Sequence, residues 1–285
     1  MWSVGRPSRF SFLWSVRRPS KRGLTGGVRS PKGGPALSPV KNQGGCGSCW
    51  AFSATESIES NIAIETGTLP DLAPQQFVDC VPNPLQCGGT GGCQGATAEL
   101  AFNYTIGAGG QVPNSEYKYT AATGKCKFDK LPAPKVSIKS YVKLPINEYA
   151  PLIAAVTKQP ISISVDAAVW QSYEKGVFTG CPHGKTDNVD IDHAVQLVGY
   201  GTDVKPYFIV RNSWGPGWGE SGFIRIDATS AKAGTCYDDK TPSDGNGCKG
   251  GPKKMTVCGA CGESPCGDSW SPTQHFIAAH VCSQT

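Results

Sequence analysis

Acidic residues are missing from the start of this 285-residue chain. The first Asp or Glu is Glu56, while Arg6, Arg9, Arg17, Arg18, Lys21, Arg22, Arg29 and Lys32 crowd the same stretch. The net charge of +5 therefore gathers at one end and leaves the rest near neutral, which argues against a nucleic-acid-binding surface. Long apolar runs are also lacking. Residues 10–14 are apolar but too short for a signal-peptide core, and nothing approaches the roughly 20 residues of a membrane span. No internal repeat is visible, which excludes a solenoid or propeller.

What is present in excess is cysteine, thirteen residues, together with 36 glycines and 22 prolines that imply many loops. Heavy cysteine use points to an oxidising compartment. The number is odd, so at least one thiol is left over after pairing, and a leftover thiol in such a chain is a candidate reactive group. Cys49 fits that role. It stands in Gln43-Gly44-Gly45-Cys46-Gly47-Ser48-Cys49-Trp50-Ala51-Phe52, just before a stretch with helical periodicity over residues 50–65, with Ala51, Ala54, Ile58 and Ile62 on one face and Gly67 beyond the end. A helix N-terminus favours an anion, and only the thiolate of cysteine is a useful nucleophile. Glycines at 44, 45 and 47 let the backbone approach whatever Cys49 attacks. Cys46 and Cys49 also form a Cys-x-x-Cys pair, but a redox motif of that kind follows a strand, and here a Gly/Pro loop precedes it.

Two downstream motifs complete a set. His193 lies in Ile191-Asp192-His193-Ala194-Val195-Gln196-Leu197-Val198-Gly199-Tyr200-Gly201, and Asn212 in Val210-Arg211-Asn212-Ser213-Trp214-Gly215-Pro216-Gly217-Trp218-Gly219. With the Cys-Gly-Ser-Cys-Trp run these motifs, over about residues 39–226, resemble the papain-like cysteine proteases, papain and the lysosomal cathepsins. The resemblance implies an α+β, two-lobe fold, with a helical lobe, an antiparallel β-barrel-like lobe and the active site in the cleft between. It implies Cys49 as nucleophile, His193 as its imidazolium partner and proton donor, Asn212 as orienting group, and Gln43 with the Cys49 N–H as oxyanion hole. Trp214 would shield the His–Asn bond with Trp218 beside it, and Asp192 would modulate local charge. No cofactor or metal is implied. Partners would be protein and peptide substrates and cystatin-like inhibitors, with the enzyme a monomer in a lysosome, vacuole or extracellular space.

The periodicity is consistent with that fold. Residues 72–80, 96–104 and 150–158 read as helices, and 136–139, 161–165, 195–200, 207–210 and 223–226 as strands separated by Gly and Pro clusters. Three parts are expected: a basic segment 1–33, disordered or wrongly joined to the rest; a peptidase domain 34–246, its helical lobe about 43–115 and β lobe about 116–246; and a Cys-rich tail 247–285. The signal peptide and inhibitory propeptide usual in the family are not recognisable, and the basic start is expected to be a truncated N-terminus rather than a targeting segment.

The resemblance also implies Cys46–Cys93 and Cys80–Cys126 bridges. Cys181 pairs with a later cysteine, Cys236 at the nearer spacing, or Cys261 if residues 236–258 are an insertion. In the tail, Cys248, Cys258, Cys261, Cys266 and Cys282 with His275 and His280 allow either disulfides, one of them to Cys87, or a zinc site. The main substrate pocket, for the side chain two residues before the cut, is expected at Thr97, Ala98, Ser164, Ile191 and Ala194, with Gly95 and Ala96 bonding substrate backbone. Thr97 and Ala98 are smaller than the residues usual there, so a wide pocket preferring bulky apolar side chains is expected. Two other functions compete. A non-catalytic peptide binder would lack one of Gln43, Cys49, His193 or Asn212, and all are present. An exopeptidase would need an insertion blocking the cleft, for which the tail is the one candidate.

Overall fold

The computed structural model describes residues 30, 33–131, 135–181, 189–259, 261–262, 264–265 and 280–281. Most of the basic segment, and Cys266, His275 and Cys282 of the tail, lie outside the described residues.

The central element is helix α1, Cys49–Thr66. It ends where the sequence predicts, because Gly67 adopts a left-handed φ of 83° and returns its N–H to the Ala63 carbonyl. Amphipathicity understates its burial. From Trp50 to Ala63 every residue is buried, the polar Ser53, Glu56, Glu59 and Ser60 included. One face carries Trp50, Ala54 and Ile58 into a core with Phe77 and Phe102, on helices α2 (Pro74–Cys80) and α3 (Ala98–Gly107). Burying each of the larger side chains contributes about 1.5–3 kcal/mol. The opposite face packs on a β-sheet, where polar groups find partners. The Ser53 hydroxyl donates to the Val195 carbonyl at 2.7 Å, and Gln196 Nε2 donates to Ser60 Oγ at 3.0 Å. Glu56 meets Arg211 at 3.2 Å, both buried, and Glu59 meets Lys41 at 3.0 Å.

Helix α3 starts two residues later than its periodicity predicts. Thr97 is extended (φ −112°, ψ 154°), so residues 96 and 97 stay outside the helix as a wall of the cleft. Asn103, in a glycosylation sequon, is exposed on α3.

The β part holds β1 (Ile138–Ser140), helix α4 (Tyr149–Val156), β2 (Ile161–Val165), β3 (Val177–Phe178), β4 (His193–Thr202), β5 (Pro206–Arg211) and β6 (Phe223–Asp227). It then adds helix α5 (Thr229–Ala233), β7 (Cys236–Asp239), β8 (Met255–Cys258), β9 (Ser264–Pro265) and β10 (His280–Val281). The main sheet runs β3-β6-β5-β4-β2-β9, antiparallel except for the β3–β6 pair. Its inner face closes over Ile163, Val165, Trp170, Leu197, Phe208 and Ile224. Strand β2 alternates apolar and polar, the pattern of a half-buried strand, yet all five residues are buried, since Ser162 meets α1 through Ser53 at 2.6 Å.

Among the described residues five disulfides form and Cys49 is the free thiol. Cys46–Cys93 and Cys80–Cys126 join as the resemblance implies. Cys181 pairs with Cys261 and not with Cys236. The reason is register: Cys236 and Cys258 are cross-strand partners on β7 and β8 and bond to each other. Cys248 bonds Cys87. Among the described residues no group of His, Cys, Asp and Glu has a metal-binding arrangement, and no helix is long and apolar enough to cross a membrane.

Candidate active site

Two elements bring the reacting groups together. Cys49 opens α1, where the first N–H groups of a helix lack intrahelical partners. His193 opens β4, and β4 packs along α1, so the two residues face each other across the junction of helices and sheet. Burial alone would raise the Cys49 thiol. A hydrogen bond and charge attraction from His193, with backbone N–H contributions from Ala194 and Trp50, outweigh that and bring it below the ordinary thiol range. His193 is shifted in the complementary sense. Burial would lower it, but Cys49, Asn212 and Asp192 raise it above an ordinary imidazole. Both shifts favour a thiolate beside an imidazolium.

Asn212 lies behind His193, fully buried, with Oδ1 at 2.8 Å from His193 Nε2. The backbone N–H of Ser213, which can only donate, also points at Oδ1 at 2.8 Å. Oδ1 is therefore the acceptor, and Nε2 carries the proton. Trp214 covers this pair, its ring 5.1 Å from the imidazole, and Trp218 stands edge-on to Trp214 at 5.1 Å. Trp170, which the motifs do not mark, meets His193 edge-on at 6.3 Å and stacks on Trp218 at 6.3 Å. Nothing in its local sequence signals the site, because loop 166–176 reaches His193 only through the sheet.

Gln43 is held on several sides. Its N–H donates to the Ser213 carbonyl at 2.8 Å, Ser213 Oγ donates to its Oε1 at 2.7 Å, and its Nε2 donates to the Cys46 carbonyl at 3.0 Å. Tyr119 donates to the Gln43 carbonyl at 2.7 Å and pairs with Ser48 at 2.7 Å. Ser213 and Tyr119 are supports that the motif reading passed over. Ser213 could have been suspected from its place beside Asn212.

A cavity of about 300 Å³ adjoins Cys49 and His193. Gly95, Ala96, Thr97, Ala98, Ser164, Asp192 and Ala194 line it. Trp214 belongs instead to the tryptophan cover over His193. Ile191, expected in the pocket, does not reach it and is packed with Val189 and Val257. The loop at residues 242–248 explains the difference. Gly245 lies against the Ile191 carbonyl, where a Cβ would overlap it, and Asp244, Gly245 and Asn246 take up that wall of the cavity. The loop continues to the glycine-rich segment across the cavity. Gly88 donates to the Gly247 carbonyl at 2.8 Å, Lys249 donates to the Leu85 carbonyl at 3.1 Å, and Cys87–Cys248 makes the connection covalent. Glu99, in the first turn of α3, also lines the cavity.

A thiol at a helix start, a histidine beside it held by an amide, and an adjoining cavity together have the parts of a thiol-dependent active site. The comparisons agree. A family model described as papain family cysteine protease matches residues 27–245. Oryzain beta chain of Oryza sativa subsp. japonica is 43% identical over 207 residues, 70% of this chain and 42% of that protein. Vignain of Vigna mungo is 43% identical over 207 residues, 70% of this chain and 54% of its own. The bromelain protease from Ananas comosus, solved with the E64 inhibitor, superposes with a TM-score of 0.65 at 33% identity, over 86% of this chain and 94% of that one. This chain belongs to the papain family of cysteine proteases. It spans about half the length of the curated relatives it matches.

Proposed function

We propose that the chain is a cysteine-type endopeptidase, a hydrolase of EC 3.4.22 type, working through Cys49, His193, Asn212 and Gln43. The observation that carries this reading is the bonded series Cys49–His193–Asn212 at the mouth of a substrate-sized cavity. The Cys49 thiolate forms a C–S bond to the scissile carbonyl. Gln43 Nε2 and the Cys49 N–H take the oxyanion, and His193 passes its proton to the departing amine as the C–N bond breaks. Water then cleaves the thioester and returns the thiolate. Asn212 keeps the imidazole in plane, and Asp192, whose carboxylate accepts the Ala167 N–H at 2.9 Å, adds negative charge beside it.

The substrates are proteins and peptides bound with their backbone along Gly95 and Ala96. The small walls at Thr97, Ala98, Ser164 and Ala194 suit a bulky apolar side chain two residues before the cut. Cystatin-like proteins are the expected inhibitors, the enzyme is a monomer, and five disulfides suit a vacuolar, lysosomal or extracellular setting. The test is labelling with an epoxide-type thiol-protease inhibitor. Wild type labels once and Cys49→Ala not at all; label retained in the variant would refute the site.

An exopeptidase is the second reading, favoured by one observation: residues 244–248 close one wall of the cavity against the glycine loop. Cleavage within a denatured protein chain supports the endopeptidase, and release of short peptides from one end alone supports the exopeptidase.

A further inference from the structure

The cavity beside Cys49 is rich in hydrogen-bond acceptors that have no donor. Glu99 is 3% exposed, and neither of its carboxylate oxygens has a hydrogen-bond partner among the described residues. Its nearest cation, Lys143 Nζ, stands 3.7 Å from Oε1, outside hydrogen-bond range. Asn246 Oδ1 and Thr97 Oγ1 are likewise buried and unpartnered. All three residues line the cavity, as does the carboxylate-bearing Asp244, an exposed residue on the loop at residues 242–248. Asp192 adds a further carboxylate, and the one basic side chain lining the cavity among the described residues is His193, already engaged with Cys49.

Buried acceptors without donors are costly. Lys143 gives Glu99 a charge partner, yet neither carboxylate oxygen receives a hydrogen bond, so the arrangement is completed best by a bound group that only donates. Ammonium and guanidinium are such groups, offering three and five N–H donors and no acceptor. Lysine and arginine also carry aliphatic stems, which suit the apolar part of the walls at Ala96, Ala98 and Ala194.

We propose that this cavity selects a positively charged group of the peptide substrate, held by Glu99 and Asp244 with Asn246 and Thr97 as neutral acceptors. The inference rests on the cysteine-peptidase reading and deepens it. It replaces the expectation of a purely apolar preference with an apolar stem ending in a cation. The loop at residues 242–248 is what makes the difference, since it brings Asp244 and Asn246 to a wall that Ile191 was expected to form. The cation has two possible sources, a Lys or Arg side chain or the free amino terminus of a short peptide, and one substrate series separates them.

The experiment uses the full disulfide-bonded chain and fluorogenic peptides that differ two residues before the cut. Acetylated peptides carry Leu, Lys or Arg there, and a further peptide begins at Leu with a free amine. A charge-assisted contact predicts a kcat/KM about tenfold or more above acetyl-Leu for one cationic form. Preference for acetyl-Lys or acetyl-Arg assigns the site to a side chain. Preference for free-amine Leu over acetyl-Leu assigns it to the amino terminus, as in an exopeptidase. The preference must then shrink at least fivefold in Asp244→Asn or Glu99→Gln, and Asp244→Lys, at an exposed position, must shrink it further. Glu99→Gln keeps the side chain's shape, and Asp244→Asn decides the matter should the buried change prevent folding. Equal or better cleavage of acetyl-Leu by an enzyme that takes the epoxide label overturns the inference alone, as does a preference that survives both neutral variants. A protein that neither labels nor cleaves any peptide overturns the peptidase reading and the inference with it.

Discussion

Gln43 and Ser213 hold each other at two points: the Gln43 N–H donates to the Ser213 carbonyl at 2.8 Å, and Ser213 Oγ donates to Gln43 Oε1 at 2.7 Å. With Oε1 taken as acceptor and one Nε2 proton on the Cys46 carbonyl, the amide can turn in only one sense. In the proposed mechanism its second Nε2 proton is the donor for a developing oxyanion. Removing one such donor costs about 2.7–4 kcal/mol, so Gln43→Ala should lower kcat by roughly 10²–10³-fold. Ser213→Ala, which loosens the amide without removing it, should cost about tenfold by the loss of one hydrogen bond. Both variants should still take up a thiol-directed label, which separates a damaged oxyanion hole from a damaged nucleophile.

Asn212→Ala removes the acceptor at His193 Nε2. Hydrogen bonds to charged groups are worth about 1.5–3 kcal/mol, which corresponds to roughly 10- to 150-fold in kcat/KM. Asn212 also helps raise His193, so the high-pH limb of the activity profile should move to lower pH in the variant. A rate loss with no shift of that limb would mean that Asn212 acts only through packing.

Alkylation of Cys49 by iodoacetamide should remain fast well below the ordinary thiol range, since His193 stabilises the thiolate. In His193→Ala the rate should shift toward that of a thiol of higher pKa, because burial is then opposed only by the backbone N–H groups of Ala194 and Trp50. A rate–pH curve identical in the two proteins would show that no ion pair forms.

Glu56 links pH to stability. Burial outweighs Arg211 and Lys41 and pushes its carboxyl up to about 7, above the ordinary 4.5. A raised pKa means that the folded state favours the protonated form. The stabilisation is complete below about pH 4.5 and is lost as pH rises through about 7. Thermal melts should therefore fall over that window, and Glu56→Gln should flatten the slope. A steeper slope in the variant would reverse the assignment.

Cys87–Cys248 ties the loop at residues 242–248 to the glycine segment beside the cavity. Replacing both cysteines with serine should cost about 2–4 kcal/mol of stability, read as a lower Tm. It should also free residues 244–248 from the wall and reduce discrimination among peptides that differ two residues before the cut. Unaltered discrimination would mean that the loop's backbone bonds at Gly88 and Leu85 suffice to hold it.

Cys49, His193, Asn212 and Gln43 were legible because each sits in a local run whose residue types have a chemical reason: glycines for close approach, a helix start for an anion, an Asn before a tryptophan. The helices and most strands were legible for a similar reason, since α1 carries apolar residues at helical spacing and ends at a glycine able to take a positive φ. Local patterns carry no record of what packs against them. Thus β2 reads as half-buried until α1 is laid on its polar face, and nothing around Glu56 in the sequence signals its pairing with Arg211 of β5.

The chain's own order of residues marked Cys49 with its proposed partners and the two kinds of secondary structure, and the family resemblance implied the first two disulfides. Only tertiary structure decided the rest. It set Cys236 opposite Cys258 and so left Cys261 for Cys181, and it brought Trp170 to His193 and carried Asp244 and Asn246 to the cavity of Cys49. The physical reason is distance along the chain. Groups that meet through sheet register or a cross-linked loop are set by backbone hydrogen bonds and burial elsewhere, and their own neighbours in sequence do not encode the meeting.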